Sequence, residues 1–241
     1  MRIKAFLPNL ITLLNLLSGC IAVIYAMQDE LLLAGLFVML GIFFDFFDGL
    51  VARLLKVSSD LGTQLDSLAD MVTSGLVPGL VMYQMIATTT GGALFENDLV
   101  NWLACFGFVI TLGSCYRLAK FNIDTRQTDS FIGVPTPANA IFIISLGIIQ
   151  QTTDVEWLFY LLHNLYFLLG LTILSCILLN AELPLFALKF KNFGWKGNEL
   201  RYCFLILSII MIVVLQIYAI PCIIFLYVLL SIINNSINKG G

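Results

Sequence analysis

Four aspartates lie within one of the most apolar parts of this chain: Asp45, Asp48, Asp66 and Asp70. An ionised aspartate at the centre of a membrane helix costs roughly 2.5–3.5 kcal/mol. Four unpaired carboxylates would therefore cost on the order of 10 kcal/mol. Water, a cation or a substrate must compensate their charge, so these residues are the first candidates for chemistry.

The spacing predicts that the aspartates line two facing helices. At about 100° per residue, one arc of about 140° comprises Asp45, Asp48, Gly49, Ala52 and Arg53. A stripe at every fourth residue of the next helix comprises Gly62, Asp66 and Asp70. Two helices that each present two carboxylates form an oxygen-rich box, which hard cations such as Mg²⁺ or Mn²⁺ prefer. Four carboxylates are more than one hydrated Mg²⁺ needs, so the pattern indicates a two-metal site suited to phosphoryl transfer.

Small residues accompany the carboxylates on both faces. Gly49, Ala52 and Gly62 remove side chains where a ligand must approach the helix backbone. The alternative for the glycines is close packing of helices through small residues. Arg53 adds a fixed cation beside the acids, which suits a phosphate oxygen.

The composition shows what kind of protein must position these residues. The chain has 241 residues, of which 60% are apolar and only 11% are charged. A soluble domain of this length could not bury so much apolar surface, so the composition predicts a membrane protein. Period-two patterning typical of a barrel is absent, and the predicted fold is an all-α polytopic bundle.

Eight apolar stretches predict about eight transmembrane helices, with both termini on one side. They lie near residues 5–27, 31–52, 66–90, 99–119, 137–151, 155–180, 202–217 and 219–233. Under this topology all twelve basic residues fall on one side, and the opposite turns hold acids such as Asp29 and Asp154. The positive-inside rule makes the basic side, and therefore the aspartates, cytoplasmic.

The same pattern predicts three regions along the chain. Residues 1–180 form a transmembrane core that contains the aspartates. Residues 181–201 form a cytoplasmic juxtamembrane segment in which aromatic residues alternate with lysines, as suits the lipid headgroup layer. Residues 202–241 add two further transmembrane helices.

The acidic residues form a motif, D-x2-D-G-x2-A-R-x8-G-x3-D-x3-D, which begins at Asp45 and ends at Asp70. In this motif the chain resembles the CDP-alcohol phosphotransferase family at every fixed position. Enzymes of that family transfer a substituted phosphate from a CDP-linked donor to an alcohol and release CMP. The resemblance implies that the four aspartates hold two divalent metal ions, Mg²⁺ or Mn²⁺, and that Asp70 is the general base. It also implies that the donor is seated by Gly49, Ala52, Arg53 and Gly62.

Further stretches resemble the integral-membrane phosphatidylserine synthases within that family. They are residues 7–15, 65–75, 117–122 and 131–137, so the resemblance covers roughly residues 5–140. It implies CDP-diacylglycerol and L-serine as substrates, a membrane lipid environment and a homodimer, with no nucleic-acid partner. The expected location is a bacterial-type inner membrane, with the active site on the cytoplasmic side.

Polar residues outside the motif are candidates for substrate contacts. Asn9 and Thr12 lie near the inner end of the first helix, where they either bond to neighbouring helices or border the nucleotide, as the resemblance favours. A zwitterionic acceptor needs a cation for its carboxylate. Arg117, Lys120 and Arg126 follow the inner end of the fourth helix, and they are either acceptor ligands or cations retained by the positive-inside rule.

Two alternative functions remain open from the sequence. One is the same chemistry with another acceptor, such as glycerol 3-phosphate or inositol phosphate, whose phosphate should demand a denser basic pocket. The other is a cation or metabolite transporter whose intramembrane acids line a pathway. Every motif acid lies near one membrane face and no repeat relates the two halves, which disfavours a transporter. A phospholipase D-like route is excluded, because it needs two His-x-Lys motifs and the chain has the single histidine His163.

Overall fold

A computed structural model describes residues 2–57, 59–91, 101–123, 131–185, 194 and 198–239. These residues form ten α-helices: α1 Arg2–Met27, α2 Leu31–Leu55, α3 Asp60–Asp70, α4 Val77–Thr89, α5 Val109–Ile123, α6 Thr136–Thr152, α7 Glu156–Leu162, α8 Leu165–Asn180, α9 Glu199–Leu215 and α10 Ala219–Lys239. A π-helical turn, Met71–Leu76, joins α3 to α4, and short 3₁₀ turns precede α5 and α10. One pair of two-residue strands, β1 Phe131–Ile132 and β2 Pro184–Leu185, is antiparallel. The predicted all-α fold is confirmed.

Helix α2 shows how the apolar sequence divides between lipid and protein. One stripe of large side chains is exposed: Leu32, Leu36, Met39, Phe43 and Phe46. Another face is buried: Leu31, Ala34, Val38, Gly41 and Asp48. Spacings of three and four residues keep each set on one side of the helix, so the acidic motif lies on the face that packs inside the bundle.

Helix α4 is the central element of the bundle. Every residue from Val77 to Ala87 is buried, as expected for a helix that is apolar all round. Its core partners include Ile143 and Ile149 of α6 and Leu168 of α8.

The π-helical turn is explained by Pro78, at the start of α4. A proline lacks the N–H of the helical hydrogen bond, and its ring collides with the carbonyl four residues earlier. The wider π turn accommodates both effects, so α3, the π turn and α4 together make one span from Asp60 to Thr89.

One of the predicted apolar stretches differs from a single straight helix. The stretch 155–180 is broken into α7 and α8, which are bent by 68°. Asn164 caps α8 by accepting a hydrogen bond from the Phe167 N–H at 3.1 Å. The chain also turns back at Gln216, whose φ is 50°. The rings of Phe204 in α9 and Tyr227 in α10 are therefore only 5.7 Å apart.

Helix length and composition support an integral membrane bundle. Four stretches of the described residues are long and apolar enough to cross a membrane, and the bent pair α7–α8 makes a fifth. The total of eight spans and the cytoplasmic termini stay predictions. Most of the predicted juxtamembrane segment, 186–193 and 195–197, lies outside the described residues.

The bundle has two distinct ends. Gln151 Nε2 donates a hydrogen bond to Asp29 Oδ1 at 2.9 Å, so the α1–α2 turn and the end of α6 lie together. His163 stacks on Phe159 with ring centroids 4.0 Å apart, and it borders a small cavity with Asp29. The motif aspartates lie on the other halves of these helices, so His163 is remote from them.

Candidate active site

Three of the four motif aspartates converge between α2 and α3. One carboxylate oxygen from each of Asp45, Asp48 and Asp66 lies within 4.8 Å of the other two. The chain reverses between these helices through Lys56, which has a left-handed backbone (φ 51°). Ser59 is the N-cap of helix α3, and its hydroxyl accepts a hydrogen bond from the Gly62 N–H at 3.0 Å. This turn brings the two acidic helix faces together.

The arrangement of this acidic cluster fits a divalent cation. Asp66 Oδ1 is buried and has no hydrogen-bond partner among the described residues. A buried carboxylate oxygen rarely stays unsatisfied, because its desolvation is costly. Oxygen ligands from three carboxylates, one of which has an unpartnered oxygen, are what Mg²⁺ or Mn²⁺ prefers. The cluster can therefore hold a metal ion.

Thr12 of α1 supports the cluster from a third helix. Its Oγ1 donates to Asp48 Oδ2 at 2.5 Å and also lies 3.1 Å from the Pro8 carbonyl oxygen. A hydroxyl has one proton, and the short distance to the carboxylate favours the bond to Asp48. Thr12, a predicted donor-binding residue, therefore orients one of the acids.

Asp70 has hydrogen-bond and charge partners that lie outside the acidic motif. It is one helical turn beyond Asp66 and is not among the three carboxylates whose oxygens lie within 4.8 Å of one another. Asn15 Nδ2 of α1 donates a hydrogen bond to Asp70 Oδ1 at 3.1 Å. Asp70 also interacts electrostatically with Arg117 of α5. The two carboxylates of the α3 stripe thus have different environments.

A cavity of about 480 Å³ opens beside the acidic cluster. Its lining comprises Pro8, Asn9, Thr12, Asp48, Gly49, Ala52, Arg53, Lys56, Val57, Ser59, Gly62, Thr63 and Asp66. All six residues expected to bind the donor are in this wall, together with two of the aspartates. The volume is in the range of small-molecule and cofactor sites.

The two motif glycines of the cavity wall have different surroundings. A Cβ added at Gly49 would meet no described atom within 4 Å. Helix packing therefore does not explain Gly49, and the open space beside it is available to a ligand. A Cβ at Gly62 would lie 3.1 Å from Ser59 Oγ and 3.3 Å from Asn9 Oδ1. Gly62 thus lets α3 and α1 approach closely, as in the packing alternative.

Two basic residues, Arg53 and Lys56, line the cavity. Arg53 Nε donates to the Gly49 carbonyl oxygen at 2.9 Å, which folds the guanidinium back along α2. Lys56 and Ser59 also line the cavity, although the sequence motif does not contain them. The signals that could have identified them are the end of an amphipathic helix at Lys56 and a serine N-cap at Ser59.

The three cations expected to bind the acceptor differ in their positions. Arg117 is 8% exposed, and its Nε has no hydrogen-bond partner in the part of the chain that the structure describes. Lys120 Nζ lies 3.6 Å from Glu182 Oε1 in an ion pair. Arg126 lies outside the described residues. Of the three, Arg117 is the one that interacts electrostatically with an aspartate of the motif.

Comparison with known proteins agrees with these features. The model of the CDP-alcohol phosphatidyltransferase family matches residues 5–178. The chain is 31% identical over 212 residues to the CDP-diacylglycerol–serine O-phosphatidyltransferase of Helicobacter pylori, covering 86% of this chain and 80% of the relative. The enzyme of that name from Bacillus subtilis is 34% identical over 142 residues, 59% of this chain and 75% of the relative. The one from Methanocaldococcus jannaschii is 31% identical over 172 residues, 71% and 72% of the two chains.

These matches identify the chain as a transferase. The family match spans the helices that carry the acidic cluster, the cavity wall and Arg117. A transporter function is disfavoured accordingly. The chain is an enzyme that belongs to the CDP-alcohol phosphatidyltransferase family.

Proposed function

We propose that this protein is a phosphatidylserine synthase, which transfers the phosphatidyl group from CDP-diacylglycerol to L-serine and releases CMP. The observation that carries the proposal is the group of three carboxylate oxygens within 4.8 Å beside a cavity lined with small and basic residues. The names of the relatives from three organisms support serine as the acceptor.

The donor occupies the cavity in this proposal. Gly49 and Ala52 leave its α2 wall free of bulky side chains, and Gly62 keeps the α3 wall close to Asn9. Arg53 lies at the same wall, where a guanidinium suits the diphosphate of the donor. Asn9 and Thr12 are the contacts that α1 contributes, with Thr12 also bonded to Asp48.

The four motif aspartates, Asp45, Asp48, Asp66 and Asp70, are the proposed ligands of two divalent cations, Mg²⁺ or Mn²⁺. When bound, these ions would neutralise the phosphate oxygens of the donor. The unpartnered Asp66 Oδ1 and the all-oxygen ligand set support this assignment.

Asp70 is the proposed general base. The serine hydroxyl oxygen forms a bond to the phosphorus that carries the diacylglycerol, and the hydroxyl proton moves to the Asp70 carboxylate. The bond from that phosphorus to the oxygen bridging to CMP breaks, and this oxygen leaves with CMP. The separate environment of Asp70, bonded to Asn15 and outside the cluster of three, supports its distinct role.

Arg117 is the proposed partner of the serine carboxylate. Its buried guanidinium interacts with Asp70, and its Nε is unpartnered among the described residues. A carboxylate held there would keep the serine hydroxyl near the proposed base. Lys120 is the weaker candidate because it already pairs with Glu182.

The proposed function is tested by measuring CMP release from purified protein and CDP-diacylglycerol. L-serine, glycerol 3-phosphate and inositol phosphate are supplied as acceptors in separate reactions. We expect release with serine and little with the two phosphorylated acceptors. Release with glycerol 3-phosphate or inositol phosphate but not with serine would overturn the assignment of the acceptor.

Arg117→Gln should raise the KM for serine roughly ten- to hundred-fold, because a charged hydrogen bond contributes about 1.5–3 kcal/mol. The KM for CDP-diacylglycerol should stay nearly constant. Lys120→Gln is the matched control, since it removes a cation one turn further along α5 that is paired with Glu182. If Arg117→Gln leaves the KM for serine unchanged, the serine carboxylate binds to another residue.

The protein is proposed to be a homodimer in a bacterial-type inner membrane, with its active site facing the cytoplasm. The hydrogen bond between Gln151 and Asp29 groups the α1–α2 and α6–α7 turns at the end remote from the aspartates. In a cysteine-free background, Asp154→Cys should react with an impermeant maleimide added to intact cells. Lys56→Cys should react only after the membrane is opened. Reaction of Lys56→Cys in intact cells would contradict this orientation, and cross-linking in membranes tests the dimer.

A further inference from the structure

Two polar residues outside the motif form a hydrogen-bonded chain behind Asp70. Thr73 Oγ1 donates to Asn15 Oδ1 at 2.8 Å, and Asn15 Nδ2 donates to Asp70 Oδ1 at 3.1 Å. Asn15 and Thr73 are both fully buried, with 0% of their surface exposed. Two buried polar side chains in a membrane bundle are costly unless they are bonded in this way.

The direction of the chain follows from the groups that it joins. A carboxylate only accepts hydrogen bonds, so the amide nitrogen of Asn15 must face Asp70. The amide oxygen then faces Thr73, whose hydroxyl must donate to it. Thr73 Oγ1 is also 3.2 Å from the main-chain oxygen of Asn15, but the single hydroxyl proton favours the nearer amide oxygen. The Asp70 carboxylate therefore sets which way the Asn15 amide points, and the hydrogen bond from Thr73 holds the amide in that position.

The side chains of Asn15 and Thr73 are tightly packed against a neighbouring helix. Thr73 lies in the π turn Met71–Leu76, three residues after Asp70 in the same continuous span. On α2, a Cβ added at Gly41 would lie 2.6 Å from Thr73 Cγ2 and 2.8 Å from Asn15 Oδ1. Both distances are shorter than any ordinary carbon contact. The glycine thus lets α2 close over the pair and hold it in one arrangement.

We propose that Asn15 and Thr73 are positioning residues for Asp70, an inference that rests on the proposed role of Asp70 as the base. The bond from Asn15 holds Oδ1 of the carboxylate and leaves Oδ2 for the acceptor hydroxyl. The bond from Thr73 to the amide oxygen holds the Asn15 side chain in place, so that its nitrogen stays within hydrogen-bond distance of Asp70. Neither residue contacts the substrates in this arrangement.

The test compares Thr73→Val with Thr73→Ser. Valine keeps the shape of threonine and removes the hydroxyl, whereas serine keeps the hydroxyl and removes a methyl group. We expect Thr73→Val to lower kcat about ten- to hundred-fold, the usual effect of losing a residue that orients a catalytic group. The KM values for serine and CDP-diacylglycerol, and the equilibrium affinity for the donor, should stay close to wild type. Thr73→Ser should retain most of the wild-type kcat.

The outcomes separate this inference from the proposed function. If the wild-type protein releases no CMP with serine, the proposed function fails. If the wild type is active and Thr73→Val has the same kcat, the positioning role is wrong and the function stands. Equal losses in Thr73→Val and Thr73→Ser would assign Thr73 to packing and overturn the proposal. A loss of donor affinity in Thr73→Val, or a broadened elution profile in detergent, would do the same.

A second variant reaches the pair without removing any hydrogen-bonding group. Gly41→Ala forces the Asn15–Thr73 pair to shift, so kcat should fall about ten-fold or more while both KM values hold. Gly170→Ala is the matched control, because a Cβ at that glycine of α8 meets no described atom within 4 Å. It should keep the wild-type kcat. Unchanged kcat in Gly41→Ala would show that the placement of the pair is unimportant and contradict the proposal.

Discussion

Replacing Asp66 with asparagine should lower the rate of CMP release by about a thousand-fold or more. The Asp66 side chain belongs to the three-carboxylate cluster, and its Oδ1 has no other described partner. An amide has half the acceptor capacity and no charge, so the cluster would lose its affinity for a divalent cation. A bound metal ion supplies several kcal/mol of charge stabilisation in the transition state. At about 1.36 kcal/mol for each tenfold change in rate, losing the ion accounts for a thousand-fold slower release of CMP.

Asp60→Asn is the matched control for this substitution. Asp60 begins the same helix, α3, but it is exposed and does not belong to the acidic cluster. It should keep the wild-type rate and lose at most about 0.3–1 kcal/mol of helix stabilisation at the N-terminus. Both variants should elute from detergent as folded protein. Comparable rates for Asp66→Asn and Asp60→Asn would refute the metal-binding role.

Chelation provides an independent measurement of the same site. EDTA should abolish release by the wild-type protein, and added Mg²⁺ or Mn²⁺ should restore it. Binding of Mn²⁺ to the purified protein should be weakened in Asp66→Asn and unchanged in Asp60→Asn. Full turnover in excess chelator would rule out the proposed two-metal site.

Asp70→Asn should nearly abolish transfer while the protein still binds CDP-diacylglycerol. A general base acts on the acceptor hydroxyl, and general acid–base catalysis contributes typically about 10²–10⁴-fold to a rate. The donor is held in the proposal by the cavity wall, which includes Gly49, Arg53 and Asn9. The expected pattern is therefore a kcat lowered about a hundred-fold or more at a nearly constant donor dissociation constant.

The measurement pairs steady-state kinetics with equilibrium binding of the donor. Asp66→Asn supplies the comparison, because a metal ligand should affect both donor affinity and rate. If donor affinity collapses in Asp70→Asn in parallel with the rate, Asp70 is chiefly a metal ligand and the assignment of the base is wrong. Because Asp70 is outside the cluster of three and bonds to Asn15, we expect it to contribute less to metal binding than Asp66, so the two variants should differ.

The sequence alone determined the helical membrane fold and the composition of the acidic site. Helical periodicity put the aspartates on the faces of two helices, and the structure has these faces opposed with Asp45, Asp48 and Asp66 in one cluster. Periodicity succeeds here because it depends only on residues within one helix. The apolar stretches located the helices for the same reason, since lipid requires each span to satisfy its own backbone.

Only the tertiary structure decided how the four acids differ. The partner of Asp70 is Asn15, which is 55 positions away in the sequence. Asn15 Oδ1 in turn accepts a hydrogen bond from Thr73, 58 positions away. No local pattern encodes such pairs, because they depend on the depth and rotation of three packed helices. The family resemblance gave Asp70 a separate role as the base, but the sequence did not identify the residues that bond to it.

The same limit applies to the basic residues and to breaks in the helices. Arg117 and Lys120 look equivalent in the sequence. In the fold, Arg117 is buried and interacts electrostatically with Asp70, whereas Lys120 forms an ion pair with Glu182, which follows α8. The bend at Asn164 occurs within an apolar run that looks continuous, whereas the return at Gln216 falls at the end of the predicted stretch 202–217. Hydropathy predicts whether a segment is stable in lipid, but it does not predict where the helix axis bends. The direction of each helix is set by packing against its neighbours.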